Sequence, residues 1–93
     1  YNNLVVDFRN ISDMKEFVPM VIMDCTHSVQ RPGGMGGKTG GDRRFVPSMA
    51  HAAKAFGATG YFFEVHPEPD KGLSDGPNML ELDKLETLIE SLL

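Results

Sequence analysis

The chain has 93 residues, 41% of them hydrophobic, an ordinary share for a folded protein. A net charge of -4 and a pI near 5.2 argue against nucleic acid or an anionic membrane as the main partner: both are bound through clustered Lys and Arg, and the one dense basic cluster, Arg43-Arg44 with nearby Lys38, is too small. No apolar run approaches the roughly 20 residues of a membrane-spanning helix, and a single cysteine, Cys25, cannot close an internal disulfide, so a cytoplasmic location is expected.

The chain begins Tyr1-Asn2-Asn3, with neither an initiator Met nor an apolar signal segment, and an internal start is the expectation. Leu4-Val5-Val6 reads as a short strand ending in the polar Asp7-Phe8-Arg9. Residues 12–17 leave room for only a short helix. Residues 18–25, Val-Pro-Met-Val-Ile-Met-Asp-Cys, read as a second strand, with Pro19 tolerable near its start. Their lack of alternation fits a strand buried on both faces, as in a parallel sheet covered by helices.

A Gly-rich loop follows over residues 30–42. Residues 44–56 then read as a helix, with Pro47 in its first turn and Gly57 as its stop. Its apolar residues Phe45, Met49, Ala52, Ala53 and Phe56 fall at helical spacing and predict one stripe. Residues 61–65, Tyr-Phe-Phe-Glu-Val, predict a third strand, and residues 66–78 a polar loop. The last helix is marked by Leu82, Leu85, Leu88, Ile89 and Leu92, with Asp83, Glu86, Thr87 and Glu90 on the other side. The order β-(short α)-β-α-β-α is the signal of a parallel α/β architecture. Three strands cannot close a barrel and leave two bare edges. A piece of a larger sheet is therefore expected, ahead of pairing with other chains.

The polar residues gather at strand ends. Asp24, Thr26 and His27 end the second strand, Glu64 and His66 end the third, and Asp75 lies in the loop beyond. Ligands of parallel α/β proteins bind at the carboxyl ends of strands, so His27 and Glu64 are expected to share a site that the loop bearing Asp75 overhangs. One imidazole and two carboxylates suit a divalent metal such as zinc, iron or manganese. Taken singly, each residue reads as an ordinary strand-end hydrogen-bonding group; together, at successive strand ends, they make a metal site worth testing. Regular alternation would set Cys25 on the face of His27 as a Cys-x-His pair, but a small buried hydrophobe is the better reading of this cysteine. His51 reads as a solvated surface residue, and His66-Pro67-Glu68-Pro69 as a rigid turn.

The loop Pro32-Gly33-Gly34-Met35-Gly36-Gly37-Lys38-Thr39-Gly40-Gly41 contains the Gly-Lys-Thr of a nucleotide-binding loop. Pro32 stands where that motif needs glycine, Gly40-Gly41 stand where its helix should begin, and the strand ends too early, so ATP and GTP binding is rejected. What remains is a loop rich in N–H groups, with Lys38, Arg43 and Arg44 near its end, suited to cover an anionic substrate; a plain surface loop is the alternative.

These residues carry a resemblance. Asp24-Cys25-Thr26-His27-Ser28-Val29-Gln30, the following Pro-Gly-Gly and the Gly-Lys-Thr-Gly-Gly stretch closely resemble the seventh-strand segment of 3-deoxy-D-manno-octulosonate 8-phosphate synthases. Glu64-Val65-His66-Pro67-Glu68-Pro69 resembles the end of their eighth strand, Leu73-Ser74-Asp75-Gly76-Pro77-Asn78 the loop after it, and the opening nine residues their sixth strand. The resemblance implies an α/β fold, the last three βα units (strands six to eight) of a (β/α)8 TIM barrel, with residues 1–93 as its C-terminal fragment. It implies a cytoplasmic homotetramer that makes the sugar acid phosphate of lipopolysaccharide from phosphoenolpyruvate and D-arabinose 5-phosphate. Carbon 3 of the enol adds to the pentose aldehyde, water adds at carbon 2, and phosphate leaves.

Residue by residue, it implies His27, Glu64 and Asp75 as metal ligands, with His27 and Asp75 catalytic. Residues 30–41 match the loop that folds over the substrates, so Gln30, Lys38 and Arg43 are expected to face substrate, with Asp24 and Ser28 beside them. By chemistry, a metal there orients the aldehyde or activates water. In that family's metal-dependent class a first-strand Cys is the fourth ligand, and an Asn replaces it in the metal-independent class; Cys25 is not that residue. The Ser-Asp-Gly and Pro-Gly-Gly loops lean toward the metal-dependent class. The 93 residues alone are expected to be inactive, because the Lys and Arg that hold phosphoenolpyruvate come mainly from earlier strands. The alternatives are the related 3-deoxy-D-arabino-heptulosonate 7-phosphate synthase, which uses a four-carbon sugar phosphate, and a non-catalytic barrel piece whose bare strand edges favour self-association.

Overall fold

The computed structural model describes residues 4–31, 40–71 and 76–93. Its regular elements are α1 (Arg9–Lys15), β1 (Ile22–Asp24), β2 (Gln30–Arg31), β3 (Gly40–Gly41), α2 (Val46–Ala55), β4 (Gly60–Phe62), β5 (Val65–His66), β6 (Leu80–Glu81) and α3 (Leu85–Leu92). Short 3-10 turns lead into α2 (Arg43–Phe45) and α3 (Leu82–Lys84), and another follows β1 (His27–Val29).

β1 and β4 pair in parallel, Ile22 opposite Gly60, Met23 opposite Tyr61 and Asp24 opposite Phe62. A parallel pair needs a crossover, and α2 lies within it. The ladder continues at both ends: Thr59 N–H reaches Val21 O at 2.9 Å, and Cys25 N–H reaches Phe62 O at 3.0 Å. Thr59 adds its side chain, whose Oγ1 accepts Val21 N–H at 2.8 Å and donates to Val21 O at 3.0 Å.

The observed strands are shorter than residues 18–25 and 61–65, and residues 4–6 form no strand. Strands exist where a ladder exists, and among the described residues Val18 and Met20 are exposed without one, while Leu4 makes a single bond, to Gln30 O at 3.3 Å. The third expected strand divides. β4 serves β1, and β5 turns away to pair in parallel with β6, Val65 opposite Leu80.

α2 carries Pro47 in its first turn and stops at Gly57, whose φ of +93° is a conformation that glycine adopts without a Cβ clash. Its buried face is Val46, Ala50 and Ala53, spaced i, i+4 and i+7; of the expected stripe Ala53 lies on this face and Met49 packs against the core, while Phe45 and Phe56 do not. Those two rings are half-exposed: Phe56 stacks on Phe8 at 6.1 Å, and the Arg44 guanidinium sits 4.8 Å from the centre of the Phe45 ring. Small alanines on the inner face let α2 approach the core, where Val46 is fully buried, a gain of about 1.5–3 kcal/mol. α3 buries Leu88 and Leu92 with Leu85 partly covered, while Leu82 and Ile89 remain outside. The core joins these helices to Val21, Met23 and Cys25 of the β1 region, to Ile11 of α1, and to Leu80. α1 is held to the end of α2 by Ser12 Oγ on Phe56 O (3.1 Å) and Lys15 Nζ on Gly57 O (2.8 Å).

Candidate functional site

Because Asp24 and Phe62 are opposite one another in a parallel pair, the residues just after each strand emerge at the same end. His27 follows Asp24 by three residues and Glu64 follows Phe62 by two. The structure brings them together, His27 Nε2 to Glu64 Oε2 at 3.4 Å. The His27 ring also lies 6.1 Å from the ring of Phe62.

Asp24 organises the turn that carries His27. Its Oδ1 accepts the backbone N–H groups of Thr26 (3.0 Å) and His27 (2.9 Å), and its Oδ2 lies 2.8 Å from His27 Nδ1. This is the aspartate turn in which a short carboxylate replaces a backbone carbonyl. Burial disfavours the charged carboxylate, but the bonds from His27 and Thr26 outweigh it and hold Asp24 below the usual carboxylate range.

Thr26 is fully buried, and its Oγ1 accepts the Glu64 N–H at 2.7 Å. The two strand ends are thus joined by a side-chain bond as well as by the ladder. Thr26 had no role beyond its place at the strand end in the sequence; a threonine there carries no signal until its partner is known.

The strand does not continue to His27, so alternation does not set Cys25 beside it. Cys25 is fully buried, its Sγ 3.7 Å from Met23 O, and burial with the nearby Asp24 charge pushes its thiol up to about 12. The small-hydrophobe reading of Cys25 holds. His51 is exposed as expected, though its Nε2 lies 3.0 Å from Ser91 Oγ on α3. In the expected turn, His66 Nδ1 accepts the Glu68 N–H at 2.9 Å.

The flanks of the Gly-rich loop form a two-residue antiparallel ribbon, β2 with β3, Gln30 opposite Gly41 and Arg31 opposite Gly40. Sequence gave no sign of it, since paired glycines are poor strand formers. Asn78 is fully buried behind the ribbon: a Cβ on Gly41 would stand 1.5 Å from Asn78 Oδ1. Among the described residues neither amide atom of Asn78 finds a partner, and the buried Ser28 Oγ also has none. Ser28 and Gln30 border a cavity of about 300 Å³ with Leu4, Val5, Phe8 and Met49.

The arginines meet carboxylates. Arg43 donates to Asp70 Oδ1 and, at 3.0 Å, to Gly76 O, while Arg44 Nε lies 2.8 Å from Asp42 and Arg31 3.9 Å from it. Lys38 and Asp75, both named from the sequence, lie outside the described residues, as does most of the Gly-rich loop. Among the described residues no group of three His, Cys, Asp or Glu is gathered for a metal, and no helix is long and apolar enough to cross a membrane.

The chemistry of His27 and Glu64 fits a cation nonetheless. An ionised Asp24 can only accept, so its contact with Nδ1 is a hydrogen bond when that nitrogen carries the ring proton. Nε2 then turns toward a carboxylate oxygen, an arrangement that is favourable when a proton or a metal ion adds positive charge there.

A family model described as the DAHP synthetase I family matches residues 1–92. A protein of Desulfatibacillum aliphaticivorans named 2-dehydro-3-deoxyphosphooctonate aldolase is 57% identical over 93 residues, all of this chain and 34% of its own length. One of the same name from Legionella pneumophila is 55% identical over 92 residues, 99% of this chain and again 34% of its own. The chain thus spans about a third of the length of the curated relatives it matches. Among solved structures, phospho-2-dehydro-3-deoxyheptonate aldolase (DAHP synthase) of Thermotoga maritima superposes with a TM-score of 0.60 at 36% identity, over 78% of this chain and 18% of that one. A truncated 3-deoxy-D-arabino-heptulosonate 7-phosphate synthase of the same organism gives the same score and identity, over 24% of its chain.

Proposed function

The chain belongs to the DAHP synthetase I family and has the α/β fold of a partial (β/α)8 barrel, and on that footing we propose that residues 1–93 are the last three βα units of a 3-deoxy-D-manno-octulosonate 8-phosphate synthase. The observation that carries this reading is the identity of 54–57% along the whole chain to proteins named 2-dehydro-3-deoxyphosphooctonate aldolase, against 36% to the heptonate enzymes. The substrates are phosphoenolpyruvate and D-arabinose 5-phosphate, the product serves lipopolysaccharide biosynthesis, and the working form is a cytoplasmic homotetramer. A chain of these 93 residues alone is expected to be inactive.

His27 and Glu64, with Asp75, would hold a divalent ion of the zinc, iron or manganese kind. When bound, such an ion supplies Lewis acidity, polarising the sugar aldehyde or lowering the pKa of a water. The chain's own residues do the rest. The turn at Asp24 fixes the imidazole, the Thr26 hydroxyl fixes the Glu64 backbone, and both face the end of the sheet where a substrate would enter. Gln30, Lys38 and Arg43 are the substrate-side groups, with Ser28 and Asp24 beside them. For Arg43 to meet a phosphate it must exchange Asp70, an exposed partner whose loss costs little.

The test is condensation of phosphoenolpyruvate with arabinose 5-phosphate, against erythrose 4-phosphate, by the intact gene product. Release of phosphate with the five-carbon sugar alone is the expected result. Turnover only with erythrose 4-phosphate would replace this reading with the heptulosonate one. Turnover with neither, from a protein of 10.2 kDa that scatters as large mixed species, would leave an inactive barrel piece.

A further inference from the structure

We propose that Asp24 is a positioning residue that holds His27 as the Nδ1–H tautomer and so presents Nε2 to Glu64, an inference that builds on the metal reading above.

Asp24 Oδ1 is occupied by two backbone donors, the N–H groups of Thr26 and His27 at 3.0 and 2.9 Å. These donors cannot be reversed, because a peptide N–H has no acceptor form. They fix the carboxylate's rotation and leave Oδ2 alone to meet His27 Nδ1, at 2.8 Å. An acceptor-only oxygen at that distance requires a proton on Nδ1. In neutral imidazole the lone pair then falls on Nε2, which lies 3.4 Å from Glu64 Oε2. The other end of the pair is fixed independently, since the Glu64 backbone is held by the Thr26 hydroxyl at 2.7 Å. Imidazole and carboxylate are therefore aimed at one another before any ligand arrives, the outer-partner arrangement that orients metal-binding histidines.

This geometry makes a specific demand on one nearly isosteric change. In Asp24→Asn the side chain can still form the turn, so the fold is retained. The two backbone donors still require an oxygen, which forces the amide nitrogen to face His27 Nδ1. A donor there requires an unprotonated Nδ1 and moves the ring proton to Nε2, where it closes the position facing Glu64. Asp24→Ala removes the constraint without reversing it.

The experiment records the nitrogen-15 shifts of His27 in the chelator-treated gene product, above the pH of imidazole titration, and in parallel measures zinc affinity by competition with a chromophoric chelator. The expected result is Nδ1–H in the wild type, Nε2–H in Asp24→Asn and a mixture in Asp24→Ala, with zinc affinity lower by about 10–100-fold in Asp24→Asn. An unchanged tautomer in Asp24→Asn overturns the proposal, whatever the zinc affinity. A switched tautomer in a protein whose wild type binds no zinc upholds the positioning role and sinks the metal reading instead.

Discussion

The hydroxyl of Thr26 accepts the backbone N–H of Glu64 at 2.7 Å, with Thr26 fully buried. The bond joins the ends of two parallel strands where the ladder between Ile22–Asp24 and Gly60–Phe62 has run out. Thr26→Val keeps the shape and removes the acceptor, leaving a part-buried N–H unpaired. A loss of about 1–3 kcal/mol in urea unfolding is expected, and Thr26→Ser should recover most of it. A neutral valine variant would mean that the bond contributes nothing to holding Glu64.

Gly41 and Asn78 form a second dependence. A Cβ at position 41 would overlap Asn78 Oδ1 at 1.5 Å, so Gly41→Ala must displace a fully buried amide. Overpacking of this kind costs about 1–3 kcal/mol. Asn78→Ala opens the space and removes two buried polar atoms that have no partner among the described residues. The double variant should therefore be more stable than Gly41→Ala alone, with a coupling of about 0.5–3 kcal/mol in the double-mutant cycle. Additive effects would show that the two side-chain volumes do not compete.

Cys25 should resist alkylation in the folded protein. Burial pushes its thiol up to about 12 from an ordinary 9.0, so the thiolate is scarce and unreachable at pH 8. Iodoacetamide is expected to label it only on unfolding, by mass spectrometry. The sign of the linked stability follows: the folded pKa is raised, so the contribution is whole below pH 9 and is lost as pH rises toward 12. Cys25→Ala should flatten the alkaline limb of the stability curve.

Removal of the ion tests the site itself. Treatment with a chelator is expected to abolish condensation, and added manganese or zinc to restore it. Glu64→Gln, which keeps the size and loses the charge, should weaken zinc binding by about 100-fold or more, beyond the 10–100-fold typical of outer partners. Full activity after chelation would point to the metal-independent chemistry.

The parallel α/β character, the positions of α2 and α3, and the strand-end address of His27 and Glu64 were legible in the residues, because apolar runs, helical spacing and glycine stops are local signals. The inner face of α2 was legible only in part: Ala53 and Met49 were in the expected stripe. Phe45 and Phe56 look like core residues by hydrophobicity, yet the buried face is completed by Val46 and Ala50, while Phe56 stacks on Phe8 and Phe45 lies under Arg44. The ribbon of Gln30–Arg31 with Gly40–Gly41 was also hidden, since paired glycines are poor strand formers and Asn78, the side chain packed beside Gly41, is far away in sequence.

The sequence by itself determined which residue types stand where the strands end, and therefore that an imidazole and carboxylates would gather at one end of a sheet. Only the tertiary structure decided how they are aimed. Hydrogen bonds are directional and depend on which groups meet across the fold. Asp24 sets the proton on His27 through contacts three residues away, and Thr26 sets the place of Glu64 from 38 residues away, across a strand pairing that no local pattern encodes.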